Sequence, residues 1–200
     1  MLKRYSLHEP LLEKNAIKEV SKCIETGWLS STGKNVELFE KRISDFNKSK
    51  FVVNCNSGTA ALHISLRLSN VKKDDEVIVP SITFISTINS VLYCDASPIF
   101  MDCDETLNVD VNKIILFLKK NTFQKKKSTY NKKTKKKISA ILITHVFGNL
   151  VNLDELVSIC KKKGIKLIED AAEALGSTFQ NKLHAGTVGD FGILSFNVNK

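Results

Sequence analysis

Between residues 76 and 169 the chain alternates short apolar runs with longer amphipathic stretches, and this alternation constrains the fold more than any other feature. Runs at 76–79, 98–101, 138–144 and 165–169 read as buried strands. Helical stretches separate them at 83–93, 111–119 and 153–163, the last closed by Gly164. A strand at 51–55 and a helix at 58–68 precede this block, and 193–196 reads as a last short strand. Short apolar strands alternating with helices predict an α/β fold, a mostly parallel sheet with helices on both faces. Ahead of it, Ala16, Val20 and Ile24 continue a stripe begun by Leu12, and Val36, Phe39, Ile43 and Phe46 mark a second amphipathic helix.

The net charge of +9 misleads until it is located. Residues 119–137 hold ten lysines and no acid, so removing them leaves −1 for the remainder. That segment reads as a solvated, flexible surface insertion between a helix and a strand. A polyanion contact is the other reading, although Phe123 and Tyr130 alone make no stacking platform. The five cysteines form no Cys-x-x-Cys and are odd in number, which suggests scattered buried thiols in a reducing cytoplasm rather than a disulfide framework. The most apolar stretch, 77–93, contains Pro80 and many hydroxyl and amide side chains, too polar to span a bilayer. Cysteines and histidines show no metal-ligand spacing, so no metal site is expected.

In open parallel sheets ligands sit at the carboxyl ends of strands. Ser57, Thr83, Phe84, His145 and Asp170 all fall there. Asn56-Ser57-Gly58-Thr59-Ala60 joins a strand to a helix, where a glycine permits close approach and the first amides are free donors. The stretch reads equally as a phosphate cradle or a plain helix cap. Asp170 suits either a cap or a partner for a protonated ring nitrogen, with Glu173 one turn on. Ser195 precedes Lys200 by five residues. An acid, a hydroxyl and a lysine in this order are the parts that a pyridoxal phosphate enzyme uses for the ring nitrogen, the phosphate and the Schiff base. Phe84 suits ring stacking or ordinary packing. His145 and His184 have no accompanying nucleophile motif.

Together, Gly27-Trp28-Leu29-Ser30-Ser31, Ser57-Gly58-Thr59-Ala60-Ala61-Leu62, Thr83-Phe84, His145-Val146-Phe147-Gly148, Glu169-Asp170-Ala171-Ala172-Glu173 and Ser195-Phe196-Asn197-Val198-Asn199-Lys200 resemble the DegT/DnrJ/EryC1/StrS family of pyridoxal-phosphate-dependent sugar-nucleotide aminotransferases. The Glu173–Ser177 wording is most similar to the branch acting on UDP-linked 4-keto-6-deoxy sugars, the legionaminic acid type. The resemblance implies an aspartate-aminotransferase-like large domain, a homodimer and a cytoplasmic enzyme of glycan biosynthesis. Lys200 then matches the Schiff-base lysine and Asp170 the pyridinium partner. Ser57, Gly58, Thr59 and Ser195 fall on the phosphate side, Phe84 on the ring, and Glu173 where many members have glutamine. Trp28, Ser30 and Ser31 match an entrance loop that meets substrate. The implied reaction moves an amino group from glutamate to a nucleotide-linked keto sugar, and lysine rather than histidine at 200 favours transfer over dehydration.

Val198 stands where a glycine is common, and family members run to nearly twice this length. The expectation is therefore an incomplete large domain over 1–200, lacking its small C-terminal domain, with little activity alone. Other readings are a lyase or decarboxylase using the same cofactor, a non-catalytic fragment, and a binding module that docks acidic partners through 119–137.

Overall fold

The computed structural model describes residues 13–180 and 182–197, and its contacts divide the chain into two units, Met1–Asn54 with Phe196–Lys200, and Cys55–Ser195. In the larger unit the central strand is β5 (Lys137–Thr144), buried over Ile138–Ile143. One edge of it pairs in parallel with β1 (Glu76–Pro80), which in turn pairs with β2 (Ser97–Met101). Its other edge pairs in parallel with β6 (Lys166–Asp170), followed by β7 (Phe191–Ile193). The result is the mostly parallel sheet expected from the alternating pattern.

Successive side chains of a strand point to opposite faces, and here this sorts the core into two layers. Val77 and Val79 of β1, Ala140 and Leu142 of β5, and Ile168 of β6 pack with Leu62, Leu66 and Val91. Those last three come from α3 (Gly58–Leu68) and α4 (Ile85–Leu92). Ile78, Ile141, Ile143 and Leu167 face the other way, onto Ile114, Leu118, Leu156 and Cys160. These belong to α5 (Val111–Lys120) and α6 (Asp154–Lys163). Acids open α6 and three lysines close it, as the helix dipole favours. Gly164, with φ of 65°, ends it in the left-handed conformation that glycine adopts without steric cost.

Three expectations need correction. The last short strand, expected at 193–196, lies earlier at Phe191–Ile193, where β6 supplies its ladder partner. Residues 51–55 form no strand, and Phe51 and Val53 are exposed. Apolar content does not make a strand without a neighbouring edge to satisfy its amides and carbonyls, and among the described residues no ladder reaches this segment. The lysine-rich segment, expected as a solvated, flexible insertion, has regular structure. It contains an antiparallel hairpin, β3 (Thr122–Lys125) and β4 (Ser128–Asn131), and β4 pairs with the start of β5. The inward face of the hairpin is polar and caps helix ends. Thr122 Oγ1 donates to the Leu118 carbonyl at 2.5 Å, Thr129 Oγ1 to the Lys163 carbonyl at 2.7 Å, and Gln124 Nε2 to the Lys162 carbonyl at 3.3 Å. Asn131 Nδ2 reaches the buried Glu76 carboxylate at 2.9 Å. Outside, Phe123 stacks on Tyr130 with Lys135 over the phenyl face.

The smaller unit contains α1 (Ala16–Glu25) and α2 (Lys34–Asn47). Ile17, Val20 and Ile24 of α1 are exposed. Phe39 of α2 meets Phe196 edge-on, centroids 4.9 Å apart.

A Cβ at Gly164 would collide with the Lys127 carbonyl in the hairpin turn, and φ is positive there. Gly164→Ala is therefore expected to lower unfolding free energy by about 1–3 kcal/mol, measured as a lower urea midpoint at unchanged slope.

Candidate functional site

Glu169 and Asp170 are adjacent in sequence but fall on opposite faces of β6, because side chains alternate. Asp170 shares its face with Ile168, toward α3 and α4, and Glu169 shares its face with Leu167, toward α5 and α6. The two carboxylates consequently have separate partners and separate work.

Asp170 is only 3% exposed at the carboxyl end of its strand. Its Oδ1 accepts the Ala172 amide at 3.1 Å, and its Oδ2 accepts the Thr87 hydroxyl at 3.1 Å. Asp170 is in register with Ile193, and the Ala171 amide continues the ladder to the Ile193 carbonyl at 2.8 Å. Two residues beyond Ile193 is Ser195. A Cβ built on Gly58 would stand 3.3 Å from Ser195 Cβ and 3.4 Å from its Oγ. Glycine thus lets the start of α3 come against Ser195, joining two motifs that lie more than a hundred residues apart. The Ser57 hydroxyl accepts the Ala60 amide at 3.2 Å, so this side chain works as the N-cap. The first amides of α3, those of Gly58 and Thr59 among them, have no acceptor inside the helix, and Gly58 itself lies against Ser195. Phe84 is the N-cap residue of α4, with its ring 72% exposed, and its neighbour Thr83 joins the Thr87 hydroxyl.

Glu169 accepts four donors in a fully buried setting: His145 Nε2 at 3.0 Å, and the amides of Gly186, Val188 and Gly189 at 3.0, 2.7 and 2.6 Å. The Val151 amide donates to His145 Nδ1 at 3.1 Å. Nδ1 is therefore the acceptor and Nε2 carries the hydrogen, a neutral tautomer fixed from both sides. Burial pushes the Glu169 carboxyl upward. The hydrogen bonds from His145 and from the Gly189 and Gly186 amides outweigh it and hold the group below the usual carboxylate range. His145, a strand-end candidate by sequence, is thus a buried structural partner of Glu169.

Glu173 is exposed, and its Oε2 accepts the Phe147 amide at 3.2 Å, bracing the turn where Phe147 has φ of 52°. Trp28, Ser30 and Ser31 lie in the smaller unit and are exposed. Trp28 covers Gly33 and, with Ser30, Cys23 and Asn35, lines a cavity of about 350 Å³. Lys200, with Val198 and Asn199, lies outside the described residues. Among the described residues no group of histidine, cysteine and acid side chains could hold a metal ion, and no helix is long and apolar enough to cross a membrane.

Sequence reasoning missed Thr87, Thr144 and the buried role of Glu169. Parity along β6 and β5 was the available signal, since it separates Asp170 and Thr144 from Glu169 and His145.

Glu169 supplies a pH test. A carboxyl whose folded pKa is depressed contributes stability above its unfolded value, near 4.3, and loses it as pH falls through the folded value. Glu169→Gln is expected to cost about 2–3 kcal/mol at pH 7. The difference from the parent should shrink below about pH 4, in urea unfolding followed at each pH.

The model of the DegT/DnrJ/EryC1/StrS aminotransferase family matches residues 10–200. A GDP-perosamine synthase from Caulobacter vibrioides is 36% identical over 200 residues, covering all of this chain and 49% of that protein. Helicobacter pylori PseC, an aminotransferase involved in the biosynthesis of pseudoaminic acid, superposes with a TM-score of 0.82 at 26% identity, over 99% of this chain and 49% of that one. A GDP-4-keto-6-deoxymannose-3-dehydratase with GDP-perosamine bound gives 0.79 at 26% identity, over 96% and 47%. The chain spans about half the length of the curated relatives it matches. It belongs to the DegT/DnrJ/EryC1/StrS aminotransferase family.

Proposed function

We propose that this chain carries the cofactor site of a pyridoxal-phosphate-dependent aminotransferase that aminates a nucleotide-linked 4-keto-6-deoxy sugar for glycan or polysaccharide synthesis. The observation that carries this reading is the approach of Ser195 to Gly58 at the start of α3, with Asp170 held in register beside Ile193. A phosphate fits the first: a hydroxyl against a helix start, whose first amides have no acceptor inside the helix and where the dipole favours an anion. A protonated ring nitrogen fits the second, because a buried carboxylate favours a nearby positive charge.

Bound there, pyridoxal phosphate supplies an electron-accepting ring and the carrier for the amino group. The chain's own residues do the rest. The amides of Gly58 and Thr59 and the Ser195 hydroxyl would hold the phosphate, while Ser57 fixes the helix start by capping it. Asp170 would pair with the protonated ring nitrogen, and Phe84 would cover the ring. Lys200 would be the point of attachment and the group that carries a proton at its Nζ. Its lysine identity favours amino transfer over dehydration.

Glutamate is the proposed donor, and a homodimer in the cytoplasm the proposed working form. For the acceptor, the relative named GDP-perosamine synthase and the neighbour holding GDP-perosamine make a GDP-linked keto sugar the first to try. A UDP-linked sugar of the legionaminic type is the second. Glu173 and the Trp28, Ser30 and Ser31 loop are kept as cofactor and substrate contacts respectively.

Incubating the 200-residue chain with pyridoxal phosphate, reducing with borohydride and mapping the peptides tests the site. A single phosphopyridoxyl adduct on Lys200, reduced at least about tenfold by Asp170→Ala, is the expected result. Labelling spread over the lysines of 119–137, or none at all, overturns it.

A further inference from the structure

The hydroxyls around Asp170 form a chain with a direction. Thr144 Oγ1 lies 2.9 Å from Thr83 Oγ1, Thr83 Oγ1 lies 2.7 Å from Thr87 Oγ1, and Thr87 Oγ1 lies 3.1 Å from Asp170 Oδ2. Four separate elements meet in it: the end of β5, the loop after β1, the helix α4 and the end of β6. Thr87 is fully buried, Thr83 and Thr144 are half-buried, and Asp170 is 3% exposed.

Each hydroxyl has one hydrogen to give. An ionised carboxylate only accepts, so the Thr87 hydrogen goes to Asp170. The short Thr83–Thr87 contact then needs the Thr83 hydrogen, and the Thr83–Thr144 contact needs that of Thr144. All three hydrogens run one way, toward the carboxylate. Each bond polarises the next, so the last one is stronger than an isolated hydroxyl would make it. Protonation of Asp170 on Oδ2 would require the whole chain to reverse. With the Ala172 amide on Oδ1 and the Thr87 hydroxyl on Oδ2, each carboxylate oxygen meets a donor that fixes its direction.

We propose that Thr87, backed by Thr83 and Thr144, is a positioning device that holds Asp170 ionised and aimed at its ligand. The proposal rests on the cofactor reading of Asp170 for its purpose, but not for the hydroxyl contacts themselves. Thr87 and Thr83 sit on either side of Phe84, so the same loop and helix turn present the aromatic ring and tune the acid. None of the three threonines needs to touch cofactor or substrate.

The test reads the Asp170 carboxyl carbon by ¹³C NMR in the ligand-free 200-residue chain at fixed pH. Thr87→Val keeps the side-chain shape and removes the hydroxyl; the Asp170 resonance is expected to move, and Thr87→Ser to bring it back. Thr144→Val, at the half-buried far end, leaves the Thr87 contact in place and is expected to move the resonance the same way by less. This second variant keeps the test sound should Thr87→Val fail to fold. An Asp170 resonance unmoved in both valine variants, or a serine variant that behaves like valine, overturns the proposal. Cofactor retention, expected to weaken about tenfold in Thr87→Val, is measured separately. Failure of the parent to take up pyridoxal phosphate would count against the cofactor reading, whereas the NMR result decides the hydroxyl chain.

Discussion

The parallel pairing of β5 with β6 is the constraint on which the rest depends. Its register, Ala140 with Lys166 through Thr144 with Asp170, sets which face every apolar side chain in the centre occupies. It also delivers Thr144 and Asp170 to one side and His145 and Glu169 to the other. With both faces of the sheet covered by helices, the strands are near-continuous apolar runs, as buried parallel strands require. Polar groups enter only at their ends. That is where hydrogen-bond partners exist, and the candidate site assembles there because the middle of the sheet has no room for one.

The two acids at the end of β6 divide the labour. Glu169 accepts three amides from the loop at 186–189 and one ring N–H, which makes it a structural group with its acceptor capacity taken up inside the fold. Asp170 accepts the Thr87 hydroxyl and the Ala172 amide on the face of β6 that looks toward α3 and α4. Fixed donors hold the Glu169 carboxyl below the usual carboxylate range despite its burial, and fixed donors orient Asp170. The same physics therefore serves stability on one face and chemistry on the other. Loop 186–189 connects the two, since it leads into β7 and from there to Ser195.

Much of this was legible in the sequence. The helix at 58–68 matches in both bounds, because Ser57 caps it and Gly58 opens it, two local signals that tertiary packing does not override. The strands at 76, 98, 138 and 166 agree within a residue or so, since apolar runs of five to eight residues have little choice once helices flank them. The hairpin was hidden for a physical reason. Its inward residues, Thr122, Gln124, Thr129 and Asn131, are polar because they face helix carbonyls and a buried acid, so no hydrophobic alternation marks them. The error at 51–55 was the converse, an apolar run whose pairing partner could not be read from its own composition. The hydroxyl chain was only partly visible: Thr83 stood at a strand end, whereas Thr87 looked like any helix residue and Thr144 like the tail of a strand.

The amides bound by Glu169 have a consequence for how the molecule breathes. Gly186, Val188 and Gly189 donate to one side chain rather than to a ladder, so their protection against solvent depends on a single rotamer. Should that rotamer release, all three would be bared together while the neighbouring strands stay paired. The loop is then a small cooperative opening unit of its own, in the sense that hydrogen exchange resolves such units. It carries the backbone that ends at Ser195, so the cradle beside Gly58 shares the lifetime of a carboxylate buried on the far face of the sheet.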